Sequence, residues 1–321
     1  MNSRQAPVAL VLTGPTGSGK SDWALRLAAQ LPVELVSVDS AQVFRGMDIG
    51  TAKPAPDIRA TVPHHLIDIR DPAESYSAGE FARDARAAVA AILRRGRLPV
   101  LVGGTMLYLH ALLRGMAELP ERSPPLRAEL EAQAAKEGWA ALHAELARVD
   151  PRAAARIHRN DPQRIQRALE VYRLTGRPIS DWQAATPAPE GEMRWLRFAL
   201  LPTDRAAHRK ALERRFAAML DAGLLAEVRA LYNRGDLRPE LPAIRAVGYR
   251  QLWAHCAGTL TLAEAGRQAL LATGQLAKRQ LSWLRGDPSF EPLDPASEAG
   301  FQRILAELRD AAFVAGAAPG C

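Results

Sequence analysis

Cysteine is almost missing from this chain: Cys256 and Cys321 are the two present in 321 residues, and no C-x-x-C pair exists. That excludes a disulfide framework and a cysteine-based zinc site. Long apolar runs are missing as well. No stretch approaches the ~20 residues that a membrane-spanning helix requires, and the start Met1-Asn2-Ser3-Arg4-Gln5 lacks the apolar core of a secretory signal. A cytoplasmic chain with no membrane partner is expected. No internal repeat is visible.

What is present is an ordinary globular composition, 48% hydrophobic and 24% charged, at a length that suits a core domain with one insertion or satellite. Lys and Arg number 42 against 35 Asp and Glu, a net charge of +7 that favours polyanionic partners through counterion release. The positive charge is concentrated. Arg152, Arg156, Arg159, Arg164, Arg167, Arg173 and Arg177 face only Asp161 and Glu170 within one stretch, and a second cluster reads Lys278-Arg279-Gln280-Leu281-Ser282-Trp283-Leu284-Arg285.

The string Gly14-Pro15-Thr16-Gly17-Ser18-Gly19-Lys20-Ser21 is a complete G-x-x-x-x-G-K-[ST] phosphate-binding loop. The apolar run at 8–12 before it reads as a buried strand, and Trp23, Ala24, Leu27, Ala28 and Leu31 recur after it at helical spacing. Backbone N–H groups and a helix N-terminus then converge on one anion, Lys20 adds a point charge, and the Ser21 hydroxyl can ligate Mg2+. Strand and helix signals continue to alternate: strand 33–39, a short strand around Leu66-Ile67-Asp68, helix 77–95, strand 98–102. This order predicts an α/β fold, a P-loop NTPase-like parallel sheet core whose ligands sit at the carboxyl ends of the strands.

Pro-rich breaks at 119–125 and 186–191 bracket an Ala-rich, wholly helical stretch. Residues 117–192 are therefore expected as an inserted helical domain, with 1–116 and 193–321 forming the core and its C-terminal helices. Within the insertion, Asp161 as N-cap, Pro162 at the first turn, the stripe Ile165, Ala168, Leu169 and Tyr172, and Gly176 at the end define one helix. Gln163, Arg164, Gln166 and Arg167 are expected on its other faces. A returning strand at 195–201, a helix over 206–234, a segment around 247–250 and a helix over 261–285 complete the pattern; the tail after Phe301 carries no chemical signal.

Asp39 closes the strand at 33–39, beside the loop, where a carboxylate can position Mg2+ or accept a proton. Gly103-Gly104-Thr105 closes the strand at 98–102, so the metal-holding acid of an ATPase is missing there. Arg214 and Arg215 lie on a helix where an anion clamp and a solvated face remain alternatives. A small-molecule or nucleotide kinase fits loop, strand-end acid and helical lid, but has no use for the basic cluster at 278–285. A third reading is a nucleotide-gated RNA-binding protein.

Seven strings in order, from the phosphate loop through Val36-Ser37-Val38-Asp39-Ser40-Ala41-Gln42, Met47-Asp48-Ile49-Gly50-Thr51-Ala52-Lys53-Pro54, Gly103-Gly104-Thr105, Asn160-Asp161-Pro162-Gln163-Arg164 and Val247-Gly248-Tyr249-Arg250-Gln251 to the cluster at 278–285, resemble the bacterial tRNA dimethylallyltransferases. The resemblance runs from about residue 8 to 286. It implies transfer of a dimethylallyl group from its diphosphate to the exocyclic amine of the adenosine 3′ of the anticodon in tRNA. Thr16 through Ser21 would hold the diphosphate, with Lys20 and Arg215 neutralising it, Ser21 on Mg2+, Asp39 taking the amino proton and Thr105 bordering the channel. Implied tRNA contacts are Asp39, Ser40, Ala41, Gln42, Thr105, Arg127, Gln163, Arg164, Ile165, Gln166, Arg167, Arg245, Ala246, Val247, Gly248, Tyr249, Arg250 and the eight residues Lys278 to Arg285. Arg and Lys suit phosphates; Gln42 and Gln163 suit base edges. Gly17 stands where some members carry Ala, which implies tolerance there. The zinc-finger extension of eukaryotic members is absent, no protein partner is implied, and a monomer is expected.

Overall fold

The computed structural model describes residues 6–185 and 193–314. Six parallel strands, β1 (Val8–Thr13), β2 (Val33–Val38), β3 (His64–His65), β4 (Leu98–Gly103), β5 (Arg194–Leu200) and β6 (Glu291–Leu293), form one sheet in the order β3-β2-β4-β1-β5-β6. Fourteen helices are seen among the described residues. In chain order they are α1 (Lys20–Ala28), α2 (Pro56–Thr61), α3 (Ala78–Arg94), α4 (Met106–Arg114), α5 (Pro124–Glu137), α6 (Trp139–Val149), α7 (Pro151–Arg156) and α8 (Pro162–Thr175). The remainder are α9 (Ile179–Ala184), α10 (Arg205–Asp221), α11 (Leu224–Tyr232), α12 (Tyr249–Cys256), α13 (Leu262–Arg285) and α14 (Glu298–Val314). This is the α/β architecture that the alternation implied, and β1 and β2 are buried on both faces because helices cover both.

The chain divides into two compact units, one within residues 1–112 and 191–321 and the other within 113–190. In the first, Leu10, Leu12, Trp23, Leu27, Val100, Phe198, Phe301 and Leu305 share one core. Each such side chain contributes roughly 1.5–3 kcal/mol by leaving water. Local chemistry agrees with this packing: Ser77 and Glu80 form a reciprocal capping box at the start of α3.

The second unit is all helical, with its own core of Leu130, Leu142, Leu146, Ile165 and Leu169. Helix α8 has the expected ends, since Asp161 accepts from the Arg164 N–H and Gly176 is left-handed. Its polar face differs from expectation. Gln166 is buried, donating to the Arg127 carbonyl and to Glu131. Glu170, fully buried, accepts from Arg127 Nε at 3.0 Å, Arg167 Nη1 at 2.7 Å and the Ser123 N–H at 2.8 Å. A carboxylate out of water needs its charge matched and its lone pairs filled, and these three donors do both.

Two elements depart from the sequence reading. The strand expected around Leu66-Ile67-Asp68 is at His64–His65, because Leu66 and Asp68 take φ of 61° and 58°, which a strand cannot contain. The helix expected over 206–234 breaks into α10 and α11 at Gly223, whose φ is 102°. The tail after Phe301 carries no chemical signal but is structural: α14 supplies Phe301, Ile304, Leu305 and Leu308 to the core, while β6, ahead of it, extends the sheet. The Pro-rich break at 186–191 lies outside the described residues.

Candidate active site

The carboxyl ends of β1, β4 and β2 meet at one place. The phosphate loop joins β1 to α1 with Gly17 at φ 73° and Gly19 at φ 80°, left-handed turns that Gly adopts without strain. Gly14 has no space for a side chain, since a Cβ would lie 2.7 Å from the Leu200 carbonyl. Tolerance of Ala at Gly17 does not hold here. A Cβ would combine that φ with a 2.7 Å approach to Leu212 Cδ2.

Strand order corrects the placement of Asp39. β2 is not beside the loop strand; β4 runs between them. The carboxylate therefore reaches the site only if β4 ends without bulk, and its last residues are Gly103 and Gly104. A Cβ on Gly103 would sit 2.1 Å from the Val38 carbonyl, and one on Gly104 2.9 Å from the Gly14 carbonyl. The acid missing from this strand end is thus a steric requirement of the site.

Asp39 Oδ1 accepts from the N–H groups of Ala41 (2.8 Å) and Gln42 (3.2 Å), which fixes the carboxylate and the turn after β2 together. Thr105 Oγ1 accepts from the Ser40 N–H at 3.0 Å. Gln42 turns inward, donating to the Thr51 and Ala52 carbonyls and accepting from Ser37.

A cavity of about 870 Å3 gathers Thr16, Lys20 and Ser21 from the loop, Asp39 to Gln42, Thr105, and Arg215 from α10. Arg245, Ala246, Val247, Gly248, Tyr249, Arg279, Gln280 and Trp283 line it as well. Its charges interact. Burial pulls the Lys20 ammonium down to about 8, with Asp39 opposing and Arg215 adding to the shift. Burial also lowers Arg215, against the pull of Asp39 and Asp22. Two half-buried cations are held close to one carboxylate, in a space large enough for an organic diphosphate and a base.

Other expected residues fall elsewhere. Arg250, Lys278, Ser282 and Arg285 are exposed outside the cavity lining, Leu281 is half-buried and Leu284 belongs to the core. Pro15 accepts from Lys20 Nζ, and Ser18 Oγ is buried without a partner. Arg127, Gln163, Arg164, Ile165, Gln166 and Arg167 lie in the helical unit, where Gln163 and Arg164 are exposed and Ile165 is core.

Residues 42–287 match the family described as IPP transferase. The chain belongs to the IPP transferase family. The tRNA dimethylallyltransferase of Thioalkalivibrio sulfidiphilus is 56% identical over 321 residues, covering 98% of this chain and all of that relative. That of Methylococcus capsulatus is 54% identical over 309 residues, covering 96% and 99%. Among solved structures, the tRNA isopentenylpyrophosphate transferase of Bacillus halodurans is 34% identical, with 97% and 98% coverage and a TM-score of 0.69. A eukaryotic dimethylallyltransferase, captured acting on tRNA, is 26% identical, with 95% and 78% coverage and a TM-score of 0.76. These members of the IPP transferase family are prenyl transferases, which decides against the kinase reading.

Sequence reasoning missed several residues of this IPP transferase site. Leu212, Phe216, Met219 and Leu224 give the cavity an apolar wall. Glu227 on α11 accepts from the N–H groups of Asp48 (2.8 Å), Ile49 (2.8 Å) and Gly50 (3.2 Å) and from the Tyr249 hydroxyl. Burial, with Glu227 beside it, pushes the Tyr249 phenol up, so it stays a protonated donor. A lone Glu on an amphipathic helix gives no sign of this. The linkage does explain why the strings at 47–54 and 247–251 belong to one constellation.

Proposed function

We propose that the chain transfers a dimethylallyl group from dimethylallyl diphosphate to the N6 amine of the adenosine immediately 3′ of the anticodon in tRNA, releasing diphosphate. The observation that carries this reading is a cavity in which Lys20 and Arg215 interact with the Asp39 carboxylate beside an apolar wall. Lys20, Arg215 and the loop N–H groups bind the diphosphate and take up its charge as the allylic C–O bond breaks. Leu212, Phe216 and Met219 suit the prenyl tail. The C–N bond forms at N6, and its surplus proton passes to Asp39.

An adenine amine is a weak nucleophile, so placement supplies much of the rate, and the base must leave its stack to reach Asp39 at ~3 Å. Thr105 holds Ser40 and borders the path. Basic side chains at 245–250 and 278–285, with Arg164 in the helical unit, suit the phosphates of an anticodon stem-loop.

The residues fit Mg2+: a hydroxyl, Ser21, lines the cavity one residue from Lys20, and Mg2+ commonly takes one or two protein oxygens with phosphate oxygens and water. Bound there, it would neutralise diphosphate charge. No helix among the described residues is long and apolar enough to cross a membrane; the tRNA substrate is what places the proposed reaction in the cytoplasm.

The test mixes protein, Mg2+ and unmodified tRNA with either dimethylallyl diphosphate or ATP, and weighs the digested nucleosides by mass spectrometry. A dimethylallyl increment on adenosine without ATP is expected. No increment, with ATP consumed on a small hydroxyl acceptor, would overturn the reading.

A further inference from the structure

We propose that Gln280 is a positioning residue of the prenyl-donor loop, not a contact to RNA; this rests on the phosphate loop being the diphosphate site. Helix α13 exposes Lys278, Arg279, Ser282 and Arg285, while Gln280 turns inward and is 8% exposed. Its Oε1 accepts from the Thr16 N–H at 2.9 Å, and its Nε2 donates to the Gly104 carbonyl at 2.7 Å. Reversing the amide would set donor against donor and acceptor against acceptor, so only one orientation is allowed. The other side of the Thr16 residue is held too: its carbonyl accepts from His208 Nε2 at 2.9 Å. That bond requires the proton on Nε2.

Thr16 is thus fixed by α13 at its N–H and by α10 at its carbonyl, immediately before the left-handed turn at Gly17. Phosphate loops work through N–H groups already oriented when the anion arrives, so the geometry of Thr16 sets the cost of closing the loop on a diphosphate. Without Gln280, one half-buried N–H and one buried carbonyl lose their partner. Gly104 completes the fit, since a Cβ there would lie 2.5 Å from Gln280 Nε2. The positive face of α13 and the donor loop therefore share one helix, with Gln280 on the donor side of it.

The experiment compares wild type, Gln280→Met, Gln280→Glu and Lys278→Ala. Met keeps the length and loses both hydrogen bonds; Glu keeps the acceptor for Thr16 and sets an oxygen against Gly104. Inorganic diphosphate affinity is measured by calorimetry, tRNA affinity by filter binding without donor, and the kinetic constants with dimethylallyl diphosphate. Gln280→Met is expected to raise the diphosphate Kd and the donor KM about tenfold, with tRNA Kd within twofold, whereas Lys278→Ala raises tRNA Kd alone. A rise in tRNA Kd with diphosphate Kd unchanged in Gln280→Met would overturn the proposal, as would loss of a cooperative melt in both Gln280 variants. If wild type forms no dimethylallyl adduct but its diphosphate affinity still depends on Gln280, the donor identity fails and the clasp stands.

Discussion

Asp39 has two tasks, accepting two backbone N–H groups through Oδ1 and, in the proposed reaction, taking a proton. Truncation to Ala removes both. Asp39→Asn keeps an acceptor oxygen for the turn and removes the base, so turnover should fall at least ~100-fold, the usual scale of general-base catalysis. Its tRNA affinity, read by filter binding, should stay within about twofold by the same logic, and a large loss would refute the proton-acceptor role. Lys20 gives a pH signature. With its ammonium at about 8 in the folded chain against an ordinary value of 10.5, donor kcat/KM should decline as pH rises through about 8, and Lys20→Arg should flatten that decline. Between about 8 and 10.5 the unfolded chain holds the extra proton, so the unliganded fold should gain stability from Lys20 as pH rises, the opposite sign to donor binding. A pH series of urea melts on wild type and the Arg variant separates the two effects.

Among the elements, the phosphate loop shows how much backbone geometry a motif encodes. Gly17→Ala should cost about 1–2 kcal/mol, the penalty for an L-residue in the left-handed region, and raise donor KM as Leu212 is displaced; a melt and a KM within error of wild type would disprove the strain. Helix α8 was legible in outline, since Asp161, Pro162 and Gly176 act locally on the groups that end a helix. The use of its polar face was not legible. Arg167 commits its guanidinium to Glu170 and to the Pro120 carbonyl at 2.7 Å, while Arg164 is 72% exposed at 3.4 Å from Asp161. Arg164→Ala should therefore lower the salt slope of tRNA binding by about one at unchanged stability. Glu170→Ala should destabilise the helical unit by about 3–5 kcal/mol, because it leaves two Arg side chains without their shared partner. Salt-dependent filter binding and urea melts check these in turn.

For the whole molecule, the net charge of +7 predicts a tRNA affinity that falls steeply and log-linearly with salt, while donor KM changes far less. Titrations from low to physiological salt test that contrast, and parallel slopes would argue against separate sites for the two substrates. What the sequence determined by itself was local or periodic: the phosphate loop, the alternation of strand and helix, the caps of α8 and the clusters of positive charge, each set by residues within a few positions of one another. Only the tertiary structure decided that β4 stands between the loop strand and Asp39, that two glycines clear the space across it, that the tail completes the core, and which polar side chains face inward. Gln280, Glu227 and Glu170 find partners tens to hundreds of positions away, and no sequence period marks a hydrogen bond that exists only once the chain has closed around it.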